Sequence, residues 1–177
     1  KLNDAGLGDY WDDVDYLARN QLLEQQITDL ESVRELAGGS KDNDPLIKEF
    51  MGGFGGLEPT HAKPLVYGCC SANGPIGLYY AWHGITRYDN GIATVNMFLN
   101  RASKWMDINS FLPYEGKVVL KNKTAKTALV RIPAWLEKDS ITSYVNKKKV
   151  TPSKAGNYFV FNNLKPKDRI TLTFPVK

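Results

Sequence analysis

The chain has 177 residues, 42% hydrophobic, 24% charged and 11% aromatic, with a formal net charge of +4. That is the balance of a globular chain long enough to bury a core of its own. No run reaches the roughly 18 consecutive apolar residues of a membrane span, and the polar opening Lys1-Leu2-Asn3-Asp4 has no apolar leader. Without an initiator methionine the chain reads as an excised piece of a longer protein, so the missing leader assigns no compartment. Two cysteines exclude a disulfide framework. Charge is divided unevenly: residues 1–100 carry 7 basic and 14 acidic side chains, residues 101–177 carry 16 and 5. Such a split marks two units with different surfaces. The basic half has no nucleic-acid signature, and its one run, Lys147-Lys148-Lys149, falls in a turn; no nucleic-acid partner is expected.

The first third is helical in pattern. Asp9 can cap a helix over 9–26, with Asp12 and Asp13 in its first turn, and Trp11, Val14, Leu17, Ala18 and Leu22 fall on one face. Thr28-Asp29-Leu30-Glu31 has the form of a capping box for a short second helix stopped by Gly38 and Gly39. Residues 40–64 read as loop around Met51-Gly52-Gly53-Phe54-Gly55-Gly56. This cluster lacks the Lys-Ser/Thr of a phosphate loop and reads as an irregular connector. A helix is predicted over 73–87, with Asn73 as N-cap and Pro75 in the first turn. Asp89-Asn90-Gly91 breaks it.

From Ile92 the apolar period becomes two. Strands are expected from 92 and at 104–111, 117–121, 127–132, 140–145, 158–161 and 169–174, separated by Pro, Gly and Asn signals. Their number and spacing predict an antiparallel β-sandwich, and the change of period near Gly91 sets the domain boundary.

Cys69 and Cys70 stand side by side in Gly68-Cys69-Cys70-Ser71-Ala72-Asn73-Gly74-Pro75, just ahead of the expected helix start. Helix N-termini lower a thiol pKa, and the thiolate is both nucleophile and metal ligand. A bridge between adjacent residues is strained. Two readings stand: a thiolate pair for metal or nucleophilic chemistry, or two small buried apolar residues. A vicinal redox pair lacks the Cys-x-x-Cys spacing. His61 reads as a polar loop residue and His83 as a packed or surface residue. Glu58 and Glu115 are candidate carboxylates by elimination only. Tyr79, Tyr80 and Trp82 form either a sugar-stacking platform or a core stripe, and Trp105 and Trp135 are expected in the sandwich core or at the seam between units.

Gly68-Cys69-Cys70-Ser71-Ala72-Asn73-Gly74 resembles the Cys-Cys-x-x-Asn segment of family 127 glycoside hydrolases, the β-L-arabinofuranosidase-like proteins. The resemblance extends to Gly8-Asp9-Tyr10-Trp11-Asp12-Asp13-Val14 with Arg19-Asn20-Gln21, and to 95–103. It also covers Val130-Arg131-Ile132-Pro133-Ala134-Trp135 and the closing segment with Leu164, Asp168 and 170–175. It implies an α+β fold: the last helices of an (α/α)6 toroid in residues 1–91, then a β-sandwich in residues 92–177. It implies retaining hydrolysis of terminal β-L-arabinofuranosides, with Cys69 as nucleophile and Cys70 as zinc ligand, Cys69 also touching the zinc. The remaining ligands, a Glu-x-Cys pair, and the acid/base carboxylate lie upstream in the family. The isolated chain is therefore expected to hold an incomplete zinc site and to be inactive. Its expected partners are a carbohydrate and a second copy through the exposed helical segment, with no nucleic acid and no membrane. The rival reading is a non-catalytic carbohydrate-binding or structural sandwich module.

Overall fold

In a computed structural model, which describes residues 2–36, 38–49, 51–57, 64–66 and 68–176, the alternating segments build two five-stranded sheets. Their strands are β3 (Thr86–Asp89), β4 (Ile92–Val95), β5 (Met106–Ser110), β6 (Lys117–Asn122), β7 (Thr127–Arg131), β8 (Thr142–Val145), β9 (Lys148–Val150), β10 (Ser153–Ala155), β11 (Tyr158–Phe161) and β12 (Arg169–Thr173). One sheet runs β10-β11-β7-β4-β3 and the other β5-β6-β12-β8-β9. Every pairing is antiparallel except the parallel β4–β7 pair. The period of two decides which side chains go inward. Ala93, Val95, Ala128, Val130, Phe159 and Phe161 of the first sheet are buried, as are Met106, Ile108, Val118, Leu120, Ile170 and Leu172 of the second. Burying a Leu, Ile, Val, Phe or Met side chain contributes about 1.5–3 kcal/mol each, so these positions dominate the stability of the sheets.

The expected strands appear where the alternation placed them, but the sheets are larger than the seven strands read from it. Thr86–Asp89, expected as the tail of a helix, is β3. Asn90 (φ 47°) and Gly91 (φ 85°) form a left-handed two-residue turn that folds β3 back onto β4, so the break signal is a hairpin. Asn146 (φ 51°) and Lys147 (φ 69°) do the same between β8 and β9. Trp105 is half-buried and stacks on Tyr88 with ring centroids 5.5 Å apart. Trp135, expected in the core or at the seam between units, is 55% exposed and meets Phe174 edge-on; it follows Pro133 beyond the end of β7.

The chain divides into two compact units, Lys1–Asp12 with Trp82–Lys177 and, inserted between those segments, Asp13–Ala81. The inserted unit is mostly helical. Helix α1 (Trp11–Leu17) continues as a wider turn over Ala18–Leu22; of the predicted apolar face Ala18 is buried, while Leu17 is exposed. Helix α2 (Leu30–Leu36) is capped by Asp29, whose carboxylate accepts from the Glu31 and Ser32 N–H groups at 3.2 and 3.1 Å. Gly39 closes it at φ 77°.

The expected loop beyond Ser40 contains a 3-10 turn over Lys41–Asn43, capped by Ser40, which accepts from Asp42 N–H, and then α3 (Asp44–Glu49), whose first turn suits Pro45. Arg34 joins α2 to α3 by a two-pronged pair with Asp44 at 2.6 and 2.7 Å. A short ribbon of β1 (Gly55–Leu57) and β2 (Pro64–Val66) leads into α4 (Gly68–Gly84). No helix among the described residues is long and apolar enough to cross a membrane. The described helices do not by themselves make up the expected (α/α)6 toroid.

Candidate functional site

The cysteine segment lies in a helix rather than before one. Helix α4 begins at Gly68, so Cys69 and Cys70 occupy its first turn, and Asn73 is an interior residue instead of the cap. Pro75, expected at the helix start, sits inside it; a proline there removes one helical hydrogen bond and is tolerated only where packing compensates. That packing comes from the glycine cluster. Ser71 Oγ accepts from Phe54 N–H and donates to Phe54 C=O, each at 3.2 Å. Gly74 lies against the Phe54 ring, where an added Cβ would stand 2.4 Å from Cγ. Phe54, 2% exposed, is bridged to Gln26, and the chain on either side is tied to residues 25–27. Gly52 N–H donates to Ile27 C=O at 2.7 Å, Ile27 N–H to Gly53 C=O at 2.9 Å, and Gly55 N–H to Gln25 C=O at 3.0 Å. The glycine-rich stretch is thus a backbone clamp that fixes the head of α4.

Both thiols are free; Cys69 is exposed and Cys70 half-exposed, which overturns the reading of two buried apolar residues. Their first-turn N–H groups are among those a helix leaves unpaired, and the helix end is electropositive. Asn73 donates its amide to the Cys69 carbonyl at 2.9 Å. The two sulfurs are 3.9 Å apart. The neighbouring Cys69 thiol, with burial adding to it, pushes the Cys70 thiol above its ordinary value. The sulfur separation fits a shared zinc: two Zn–S bonds of about 2.3 Å at a tetrahedral angle put sulfurs roughly 3.8 Å apart. The pair supplies two corners only; among the described residues no group of three or more His, Cys, Asp or Glu could hold a metal.

The other candidates do not join this pair. His61 and Glu58 lie outside the described residues. His83 is exposed in the last turn of α4. Glu115 is exposed in the turn before β6, with Lys117 Nζ at 3.7 Å. Tyr79, Tyr80 and Trp82 are 56%, 60% and 48% exposed, so they are no core stripe; the two tyrosine rings meet edge-on at 5.9 Å.

A second constellation was not visible from the spacing of residues. Arg131, its side chain 3% exposed at the end of β7, holds Asp9 through Nε at 2.9 and 2.7 Å and Asp12 through both terminal nitrogens at 2.9 and 2.7 Å. Asp9 also accepts from Trp11 N–H and the Asn157 amide, and Asp12 from Ala134 N–H. The sequence offers Asp9 as a helix cap and Asp12 as a dipole-favouring first-turn acid, and neither reading points to Arg131.

A GH127 β-L-arabinofuranosidase from Geobacillus stearothermophilus T6 superposes with a TM-score of 0.52 at 18% identity, over 71% of this chain and 24% of that one. A second GH127 β-arabinofuranosidase gives 0.51 at 16%, over 63% and 22%. A third protein, described as a glycoside hydrolase, gives 0.52 at 20%, over 63% and 21%. The fold is one found in family 127 glycoside hydrolases. The chain spans less than a quarter of the length of these GH127 structures. No family model matches the sequence, and no curated protein does. The family 127 likeness supports the α+β arrangement and both sheets expected from the sequence.

Proposed function

We propose that this chain is the C-terminal part of a retaining glycoside hydrolase acting on terminal β-L-arabinofuranosides or related glycans, with Cys69 as nucleophile. One observation carries the reading: two accessible, unbridged thiols share the first turn of α4, in a chain whose fold is found in GH127 β-L-arabinofuranosidases. In this mechanism the Cys69 thiolate forms a bond to the anomeric carbon as the glycosidic C–O bond breaks, and the leaving oxygen takes a proton from a general acid. Water then attacks the same carbon and gives its proton back to the conjugate base of that acid, the C–S bond breaks back to the thiolate, and two inversions give net retention. The residues of this chain that would hold zinc are Cys70 and Cys69, with the remaining donors supplied from outside the described residues. Bound there, the metal would keep the thiols deprotonated at neutral pH. The clamp of Phe54 on Ser71 and Gly74 orients the turn that carries both sulfurs.

The test separates the two thiols. Iodoacetamide at pH 7, followed by peptide mass spectrometry, should alkylate Cys69 several-fold faster than Cys70. In a protein comprising this chain and its upstream segment, Cys69→Ser should abolish hydrolysis of an aryl β-L-arabinofuranoside, whereas Cys70→Ser should chiefly weaken zinc. Equal labelling together with undiminished activity of Cys69→Ser would overturn the assignment.

A further inference from the structure

Within the unit that carries both five-stranded sheets, a cavity of about 440 Å³ opens beside the N-terminal segment. That volume falls within the range of small-molecule sites, roughly 300–1,000 Å³. Trp11 and Tyr158 give it ring surface, Thr94 and Asn96 give it polar groups, and Gly156 lies at its rim, where nothing stands within 4 Å of the position its Cβ would take.

The hydrogen bonds already made define what the cavity has left to offer. Asn96, 3% exposed, spends one amide hydrogen on the Gly84 carbonyl at 2.8 Å, and its carbonyl oxygen accepts from the Tyr158 hydroxyl at 3.2 Å. Tyr158 donates there and so keeps its lone pairs as acceptors, while Asn96 keeps a second amide hydrogen. The Thr94 hydroxyl bonds to none of the described residues. Asp9 brings a carboxylate to the wall, but Arg131, Asn157 and Trp11 N–H occupy both of its oxygens. It has little left for a cation or a ligand hydroxyl. The Arg87 guanidinium lies over the Trp11 ring at 5.6 Å.

Ring faces beside uncommitted donors and acceptors, with the one lining carboxylate hydrogen-bonded at both oxygens, match a small polyhydroxylated neutral molecule. A sugar packs its C–H face on rings and both donates and accepts through its hydroxyls. We propose that this cavity is a binding site for a neutral mono- or disaccharide, seated against Trp11 and Tyr158 and hydrogen-bonded by Tyr158, Thr94 and Asn96. This site makes no use of the thiols, so it stands or falls separately from the hydrolase reading.

The whole chain is titrated with L-arabinose and D-galactose, with galacturonate as the charged comparison, followed by tryptophan fluorescence and saturation-transfer NMR. Saturable binding is expected, with transfer strongest on the sugar C–H protons. Tyr158→Phe, which keeps the ring and removes the hydroxyl, should weaken binding about fivefold, the effect of one neutral hydrogen bond. Thr94→Trp, folded by circular dichroism, should fill the cavity and abolish saturation; if it does not fold, Tyr158→Phe alone decides. A linear response to both sugars, binding undiminished by Tyr158→Phe, or galacturonate binding about tenfold more tightly than either neutral sugar would overturn the proposal.

Discussion

Replacing Arg131 by leucine removes four charge-assisted hydrogen bonds and leaves the carboxylates of Asp9 and Asp12 facing an apolar side chain. Removing one partner of a buried ion pair costs about 3–5 kcal/mol. Here the two carboxylates keep 30% and 33% of their side-chain surface exposed, so water recovers part of the loss, and about 2–4 kcal/mol is expected. Urea denaturation at pH 7 reads this as a fall in midpoint at unchanged slope. The pH dependence gives a second readout. Burial opposes ionisation of Asp9, but the bonds from Arg131, Asn157 and Trp11 N–H together outweigh it and hold its pKa below the ordinary value. In Asp12 the Arg131 bonds are the largest influence and act in the same direction. A carboxyl depressed in the folded state stabilises fully above its unfolded pKa, about 3.9. That stabilisation disappears as pH falls through the lower folded value. The natural chain should therefore lose stability below about pH 4, and Arg131→Leu should lose less over the same interval. Arg131→Lys, which keeps the charge but not the planar fork, should recover less than half of the deficit. A loss at pH 7 under about 0.5 kcal/mol, typical of an exposed pair, or an unchanged acid dependence, would refute the reasoning.

Gly74→Ala drives a Cβ to 2.4 Å from the buried Phe54 ring, so a thermal melt should show a loss of about 1–3 kcal/mol that Phe54→Leu partly restores; no loss would remove the clamp from the account of α4. Asn122→Ala abolishes bonds from one buried amide to the Ala125 and Lys165 carbonyls, both 2.8 Å, and from Ala125 N–H at 3.0 Å. It should cost about 2–4 kcal/mol, measured by urea denaturation, and an effect below about 1 kcal/mol would contradict it. Zinc added to the chain alone should be stripped by a chromophoric chelator such as pyridylazoresorcinol, since two thiols are half a tetrahedral set; one zinc per chain retained against it would show that donors outside the described residues complete the site.

Most of the sheet structure was legible because inward positions such as Ile108, Ile170 and Leu172 alternate with polar neighbours, and that alternation is a local property. The hairpin at Asn90-Gly91 was visible only as a break, since one turn signal serves both a domain end and a tight reversal. The start of α4 was misplaced because Asn73 and Pro75 carry local preferences for a helix N-terminus, whereas Ser71 and Gly74 are held by Phe54 from 17 and 20 residues away. The thiol pair was legible as chemistry because its residues adjoin. The cavity was not: Asn96 and Tyr158 are brought together by the pairing of β4 with β7 and of β7 with β11, Trp11 comes from the start of α1, and no spacing in the chain announces it.

The bond between Asp9 and Arg131 joins residues 122 apart. Closing a flexible loop of that length carries a length-dependent entropy of about 4 kcal/mol. Ordering the intervening sheets first shortens the effective loop, so the clasp on the N-terminal segment is expected to close in the final stage of folding. Interactions formed after the transition state govern escape from the native state more than arrival at it. Residues 2–12 are therefore expected to act as a kinetic latch. Releasing them should hasten unfolding and leave the refolding rate of the sheets almost untouched.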